Sequence, residues 1–350
     1  MNILKQFLKT IVYGKNKEAD GYRAIRPTAL VCFDVGAAHG LQPQWQKLMH
    51  SANFCMFEPN DEAIKNLKSM YSLCSNFTFV NCALSDHAGE ETLTVTNAPT
   101  GSTILQINQD SEGFQSSDKN YFLPWKEIRI SVDTLADISK KLSLPAPDLI
   151  KLDTQGSELK ILKGLDEQRL RDLTCVEIEI SLIDLYRGQD NVEDVISFLR
   201  QYDLVPYDIR VSRAISASSL LSQPLQRLVG SKSKDPRYNS CRSAEIDIVF
   251  FKKPQTLISG RKKDEILKLI CSFCTYNFFF QAINTLERSV SENILNASEA
   301  ASIRSGVNIL FHANARKRRF EGIRLFIKNP LSFFRKFYWA RFLWVTPPST

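Results

Sequence analysis

The sequence has no apolar run near the roughly 18 residues that a spanning helix needs. Its opening stretch, MNILKQFLKTIVYGK, is broken by lysines too often for a secretory core, so the expectation is a cytoplasmic chain. Histidine is scarce, at four residues. No HxxxH pattern or aspartate pair supplies a metal site, and the single CxxC, Cys271 and Cys274, has no second pair to complete a zinc centre. The other cysteines lie mostly inside apolar runs, where a reduced thiol acts as a small hydrophobe. There is no internal repeat, which excludes a solenoid. There is also no GxGxxG, the loop that brings a backbone close to a pyrophosphate.

What is present is a chain of 350 residues, 43% hydrophobic, long enough to bury a full core. Its net charge of +7 is unevenly placed: residues 261–350 hold 15 Lys and Arg against 6 Asp and Glu, and the rest is slightly acidic. A nucleic-acid footprint would have to lie on that tail alone, which argues against a nucleic-acid partner for the body. From 29 to 254, short apolar runs alternate with amphipathic stretches, the pattern of an α/β protein with a mostly parallel sheet. ALVCFDVG, NFCMFEPN, NFTFVNCALS, DLIKLD, TCVEIEIS, DLVPYDI and EIDIVFFKK read as strands in turn. QPQWQKLMH, DEAIKNLKSMY, TLADISKKLS, SELKILKGL and NVEDVISFLRQY read as helices. The stretch from Asp86 to Val132 is less regular, with GEETLTVT as an extra strand. A polar segment before the last strand, from about Arg210 to Ser243, has the length of a lid or of a solvated loop.

In an open parallel sheet the loop after the first strand faces the ligand. Here it is FDVGAAHG, with Asp34 directly ahead of Gly36 and Gly40. A carboxylate at that point repels pyrophosphate but suits a ligand carrying an ammonium and a sulfonium, as S-adenosylmethionine does. Glu58, 24 residues on at the end of the second strand, stands where a carboxylate accepts hydrogen bonds from ribose hydroxyls. The competing reading makes Asp34 a helix cap and Glu58 a surface acid.

The segments DVGAAHG, FEPN, ALSDHAGEETL, STIL, DLIKLDTQGSELKILKGL, EIEISLIDLYRGQ and AEIDIVFF, in that order, resemble the FkbM family of S-adenosylmethionine-dependent methyltransferases. The resemblance implies a class I methyltransferase, Rossmann-like sheet of seven mostly parallel strands with the last antiparallel. It also implies methylation of a hydroxyl on a sugar, glycan or natural product. The resemblance covers the methyltransferase domain, 29–254; the flanking segments, an N-terminal helical arm at 1–28 and a basic, aromatic-rich helical extension at 261–350, lie outside it. The cofactor-binding set is Asp34, Gly36, Ala37, Gly40, Glu58, Asn60, Ala83 and Asp86, with His87 a turn residue near the adenine.

A hydroxyl acceptor must lose its proton, so a base is sought at the carboxyl ends of the fourth and fifth strands. Asp153, Glu179, Glu158 and His39 are the catalytic candidates. Asp153 divides between a base and a turn-orienting role. Gln155 stands where many relatives are expected to carry an acid. Glu158 also suits the first turn of a helix, where its charge complements the dipole. Glu177 and Glu179 share one face of CVEIEIS, with Glu177 the better fit to a salt-bridged acid. Tyr186 is a candidate to close the pocket. A noncatalytic binding protein of the same fold and an RNA methyltransferase are the rival readings; DTQG lacks the aromatic-proline tetrapeptide of the latter. In the tail, residues 316–341 hold nine basic residues, one acid and many aromatics. This composition fits a packed amphipathic extension or a peripheral contact with an anionic membrane, and less well single-stranded nucleic acid.

Overall fold

The computed structural model describes residues 17–26, 28–111, 114, 122–215 and 242–328. In chain order the elements are α1 (Lys17–Ile25), β1 (Leu30–Val35), β2 (Ala52–Phe57), α2 (Asp61–Met70), β3 (Phe77–Val80), β4 (Ala83–Ser85), β5 (Gly89–Thr96), β6 (Gln106–Ile107) and β7 (Pro124–Thr134). Then follow α3 (Leu135–Lys141), β8 (Leu149–Leu152), α4 (Glu158–Lys163), α5 (Glu167–Asp172), β9 (Cys175–Ser181), β10 (Tyr186–Arg187), α6 (Val192–Arg200), β11 (Leu204–Ile215) and β12 (Arg242–Lys252). Four helices end the described chain: α7 (Pro254–Ser259), α8 (Lys263–Thr275), α9 (Phe279–Ser291) and α10 (Ala297–Lys328).

Seven strands form the main sheet in the order β11-β12-β9-β8-β1-β2-β3. Neighbours from β3 to β9 are parallel, and β12 runs antiparallel to both β9 and β11. This is the class I methyltransferase sheet, its one reversed strand being the last in sequence. The order turns back between β1 and β8, so the loops after these two strands diverge and open a crevice at their carboxyl ends.

Both faces are covered, and strand alternation decides which residue goes where. Cys32 of β1 packs with Trp45, Phe54 and Met56 into one core, whereas Phe33 and Val35 join Ile150, Leu152 and Ile178 in the other. Helices α3, α4 and α6 close the second face through Leu135, Leu159, Leu162, Val195 and Leu199. The first face is closed by α1 and the C-terminal helices, which insert Ile266, Leu269, Phe273, Leu286 and Leu310. Residues from 263 to about 310 are therefore half of the sheet's covering, not a unit appended to a finished domain. Polar ties fix them in place: Arg26 pairs with Asp264 at 2.8 Å, Lys268 with Asp148 at 2.9 Å, and the Tyr276 hydroxyl donates to Glu177 at 2.6 Å while accepting from Trp45 Nε1 at 2.8 Å.

Several local expectations change. QPQWQKLMH forms one 3₁₀ turn, Trp45–Leu48, instead of an α-helix. Trp45 and Leu48 are both fully buried, and their spacing of three matches the 3₁₀ repeat; Pro43 ahead and β2 at Ala52 leave no room for a longer helix. NFTFVNCALS divides after Val80, its second half entering a small sheet of order β4-β7-β5. The supposedly irregular stretch contains the 11-residue strand β7, which is mostly exposed and whose first residues, PWKE, interrupt the alternation that IRISV shows. The segment read as a lid or loop before β12 is part strand, and its remainder, 216–241, lies outside the described residues. So do residues 329–341 of the basic tail and the N-terminal arm before Lys17. Among the described residues no helix is long and apolar enough to cross a membrane.

The buried Glu177 carboxylate depends on the C-terminal helices for its Tyr276 donor. Tyr276→Phe should therefore cost roughly 1–3 kcal/mol, the scale of a lost bond to a buried charge. Urea unfolding checks this, and an unchanged midpoint would mean that Gln44 and Arg210 satisfy Glu177 without it.

Candidate functional site

The crevice at the carboxyl ends of β1, β2 and β8 holds a cleft of about 1240 Å³. Its floor comes from the loops after these strands, and one side from the small β4-β7-β5 sheet. Gly36 sits at the point where the loops after β1 and β8 meet, with φ of 78°. A Cβ there would lie 1.9 Å from the Asp153 carbonyl oxygen, so no side chain fits. The glycine thus serves the contact between two chain segments as well as the open wall of the cleft.

Around Gly36 the first end of the cleft is built from the FEPN segment. Glu58, buried just beyond β2, accepts a hydrogen bond from the backbone of Asn60 at 2.9 Å. Burial raises its pKa, while backbone donors at Asn60 and Ala38 oppose the rise. Asn60 caps α2, accepting from the backbone of Glu62 and Ala63, and also lines the cleft with Ala83 and the exposed His39. Asp34 lies one layer deeper. Its carboxylate is 1% exposed and lacks a hydrogen-bond donor among the described residues; Lys151 Nζ stands 3.7 Å away. Burial raises its pKa to about 6 against the pull of Lys151. Asp34 is therefore not part of the cleft lining; it is a buried acid with unfilled acceptor capacity beneath a side-chain-free turn, while Glu58 on the cleft surface fits a ligand with ribose hydroxyls.

The other end is an acidic cluster. Asp153, just past β8, receives Lys151 Nζ at 3.2 Å and is partly exposed to the cleft. Burial works against its charge, but Lys151 and hydrogen bonds from Glu179 and Gln155 outweigh this and hold its pKa below the usual value. Glu179 is pushed the opposite way, first by burial and then by the charge of Asp153. The two carboxyls share a proton unequally: Asp153 is the ionised member and Glu179 the protonated one at neutral pH. Gln155 joins them, its amide donating to Glu179 at 3.1 Å and accepting from the Tyr186 hydroxyl at 2.7 Å. Its backbone is left-handed, with φ of 60°, a conformation that costs a non-glycine residue roughly 1–3 kcal/mol and recurs at functional sites. Thr103 secures it by donating to its carbonyl at 2.8 Å.

Of the sequence candidates, the cleft thus brings together Gly36, Glu58, Asn60, Ala83, His39, Asp153 and Glu179. Others fall outside it. Glu158, the first residue of α4, is buried and accepts from the backbone of Thr154 at 2.7 Å and Gly156 at 3.0 Å, so it shapes the turn that presents Asp153 and Gln155. Ala37 is packed in the core, Gly40 makes a turn with φ of 76° against the Tyr71 hydroxyl, and Asp86 is exposed and paired with His87. Tyr186 is buried, acting through Gln155. Lys151 is absent from the sequence reading, and Gln155 enters it only as the position where many relatives are expected to carry an acid. The signal for Lys151 was a lone lysine in the otherwise apolar strand LIKL, two residues from Asp153 and therefore on its face.

Comparison with known proteins finds the family model for the Methyltransferase FkbM domain over residues 34–205. A relative, Methyltransferase sdnD of Sordaria araneosa, is 27% identical over 168 residues, covering 42% of this chain and 64% of that protein's length. Among solved structures, a TehB-like SAM-dependent methyltransferase from Corynebacterium glutamicum shares 12% identity with a TM-score of 0.27, over 72% of this chain and 97% of that one. A putative sarcosine dimethylglycine methyltransferase from Galdieria sulphuraria shares 10% identity with a TM-score of 0.32, over 66% and 81%.

Gly36→Ala joins a left-handed backbone to a clash with main chain and should cost about 2–5 kcal/mol, summing strain and overpacking. Gly188→Ala has a similar φ of 76° but nothing within 4 Å of the added carbon, so it should cost only about 1–2 kcal/mol. Equal thermal shifts in the two variants would refute the contact with Asp153 as the reason for glycine at position 36.

Proposed function

Because the chain belongs to the FkbM methyltransferases through residues 34–205, a family whose methyl donor is S-adenosylmethionine, we propose that it methylates a hydroxyl group on a sugar, glycan or other natural product. The observation that carries this reading is the arrangement of one cleft with Gly36 and Glu58 at one end and the proton-sharing pair Asp153 and Glu179 at the other. Glu58 would hold the ribose hydroxyls of the donor, and Asp34, lying under Gly36, would answer its ammonium. When bound, the donor supplies a methyl group on a sulfonium, which a nucleophile takes by in-line displacement.

The chain's part is to position the acceptor and to take its proton. Asp153, held ionised by Lys151, accepts a hydrogen bond from the acceptor hydroxyl and so aims an oxygen lone pair at the methyl group. Glu179 keeps its own proton and donates to Asp153, and Gln155 fixes both carboxyls in one plane of contacts. Asp153 is placed to take the hydroxyl proton as the oxygen would accept the methyl group and the donor's S–CH₃ bond would break, releasing S-adenosylhomocysteine; base help of this kind contributes about 10²–10⁴-fold in rate.

Calorimetry with S-adenosylmethionine and S-adenosylhomocysteine tests the first half: Glu58→Ala should weaken both by about 1–3 kcal/mol, and absence of wild-type binding would sink the reading. Methyl transfer to a panel of hydroxylated acceptors tests the second. Asp153→Asn should lower turnover about 10²–10⁴-fold with donor affinity kept, whereas Glu179→Gln, which mimics the neutral acid, should stay within about threefold at pH 7. Because Asp153 titrates below the usual carboxylate range, the rate should hold as pH falls through that range and drop only beneath it. Comparable losses in the two variants would make Glu179 the base.

A further inference from the structure

The paired strands β5 and β7 have a strict two-faced pattern. Leu93 and Val95 stand opposite Ile128 and Lys126, and Ile130 lies two residues along, all lining the cleft. The opposite face carries Glu90, Thr92 and Thr94 against Ser131, Arg129 and Glu127. An antiparallel sheet ordinarily lays its apolar face on a core. Here that face is turned to the cleft, and Ile128 is left 38% exposed. At the end of the pair, Val95 is opposite Lys126 but Thr96 is opposite Pro124, so Trp125 has no partner in the register. Such a bulge breaks alternation and re-aims a side chain. It brings Trp125 to the cleft beside Lys126, 67% exposed, with the lysine ammonium 4.7 Å from the ring centroid.

We propose that this wall is the acceptor subsite, and that the acceptor is a hydroxylated molecule without negative charge, with a ring or other apolar face that lies on Trp125 and Ile128. The inference rests on the methyltransferase reading above. The wall is tied to the acid end of the cleft: Thr94 of β5 exchanges backbone hydrogen bonds with Thr103 at 2.9 and 3.2 Å, and Thr103 in turn holds Gln155 at 2.8 Å. The wall and Asp153 therefore line one cleft on a single connected scaffold. The acceptor's lack of negative charge follows from the floor, where Asp153 is ionised; an anionic acceptor would meet like charge there. Large exposed aromatics are costly to leave in water and offer an apolar ring face to a partner ring.

The test uses phenyl β-glucoside, phenyl β-glucuronide and free glucose as probes, titrated by ligand-observed NMR into the full chain saturated with S-adenosylhomocysteine. Phenyl β-glucoside should bind, with the glucuronide and glucose each at least about fivefold weaker. Trp125→Ala should weaken the glucoside about tenfold, the scale of a lost aromatic contact, with Ile128→Ser giving a smaller loss, and neither should change affinity for S-adenosylhomocysteine. Failure of phenyl β-glucoside to bind protein that does hold S-adenosylhomocysteine would overturn the subsite, as would equal affinity in wild type and Trp125→Ala. Loss of S-adenosylhomocysteine binding in Trp125→Ala would assign the wall to the donor and likewise overturn it. If wild type binds no S-adenosylhomocysteine, the methyltransferase reading itself falls.

Discussion

A lysine ammonium buried in the middle of a parallel sheet is the constraint around which the site is organised. Lys151 lies in a strand whose other residues are apolar, and a charge in such a place costs several kcal/mol unless it is paired. Its partners are Asp34 on the neighbouring strand and Asp153 two residues further along its own. Register makes this possible: Asp34 is opposite Lys151, and Lys151 is opposite Glu177, so the charges form a row across one face. Because the ammonium lies between the two aspartates, one cation steadies the acid beneath Gly36 and the acid of the cleft floor together, and the two are electrostatically linked.

The same row explains why the C-terminal helices belong to the fold. Glu177, next in line, has no lysine of its own. It is satisfied by Gln44, by Arg210 from β11 and by Tyr276, which follows α8. A sheet face carrying buried charges cannot be covered by apolar side chains alone, since each charge would lose its water without compensation. The helices from 263 onward bring the apolar bulk and one of the needed donors together. Their polar ties to Arg26 and Asp148 fix the angle at which that donor arrives.

Much of this was legible in the sequence, and the boundary of legibility has physical causes. The strands β1, β2, β8, β9 and β12 are read from short apolar runs because burial on both faces demands them. Asp153 and Glu179 are found because acids at strand ends are exceptional. Glu158 is misplaced for a related reason: an acid in a first helical turn has the same sequence signature whether it faces substrate or, as here, gathers the backbone donors of Thr154 and Gly156. At Gln155 the position is noticed but its bridging contacts are not legible, because a glutamine carries no expectation of a left-handed backbone or of a bridge between two carboxyls. β7 was missed because its charged residues make it look like a surface loop, while its apolar residues face a cleft and not the core. What pattern reading detects is whether a side is apolar; which apolar surface it meets is set by pairing and by the sheet as a whole.

Backbone conformation completes the account of how rigid the site is. Gly36 and Gly156 have positive φ, and Gln155 between them in space shares that sign. A left-handed residue is a point where the chain reverses quickly; at Gly36 it lets the loops after β1 and β8 touch without a side chain between, and at Gly156 it brings the turn against Tyr186 and Leu105. The strain at Gln155 is held in place by Thr103, Tyr186 and Glu179, each anchored in a different part of the fold. Loosening one anchor leaves the other two, so the amide keeps its place between the carboxyls. The acidic pair is consequently fixed by the scaffold and not by a ligand, which is the preorganisation that a reaction dependent on in-line geometry requires.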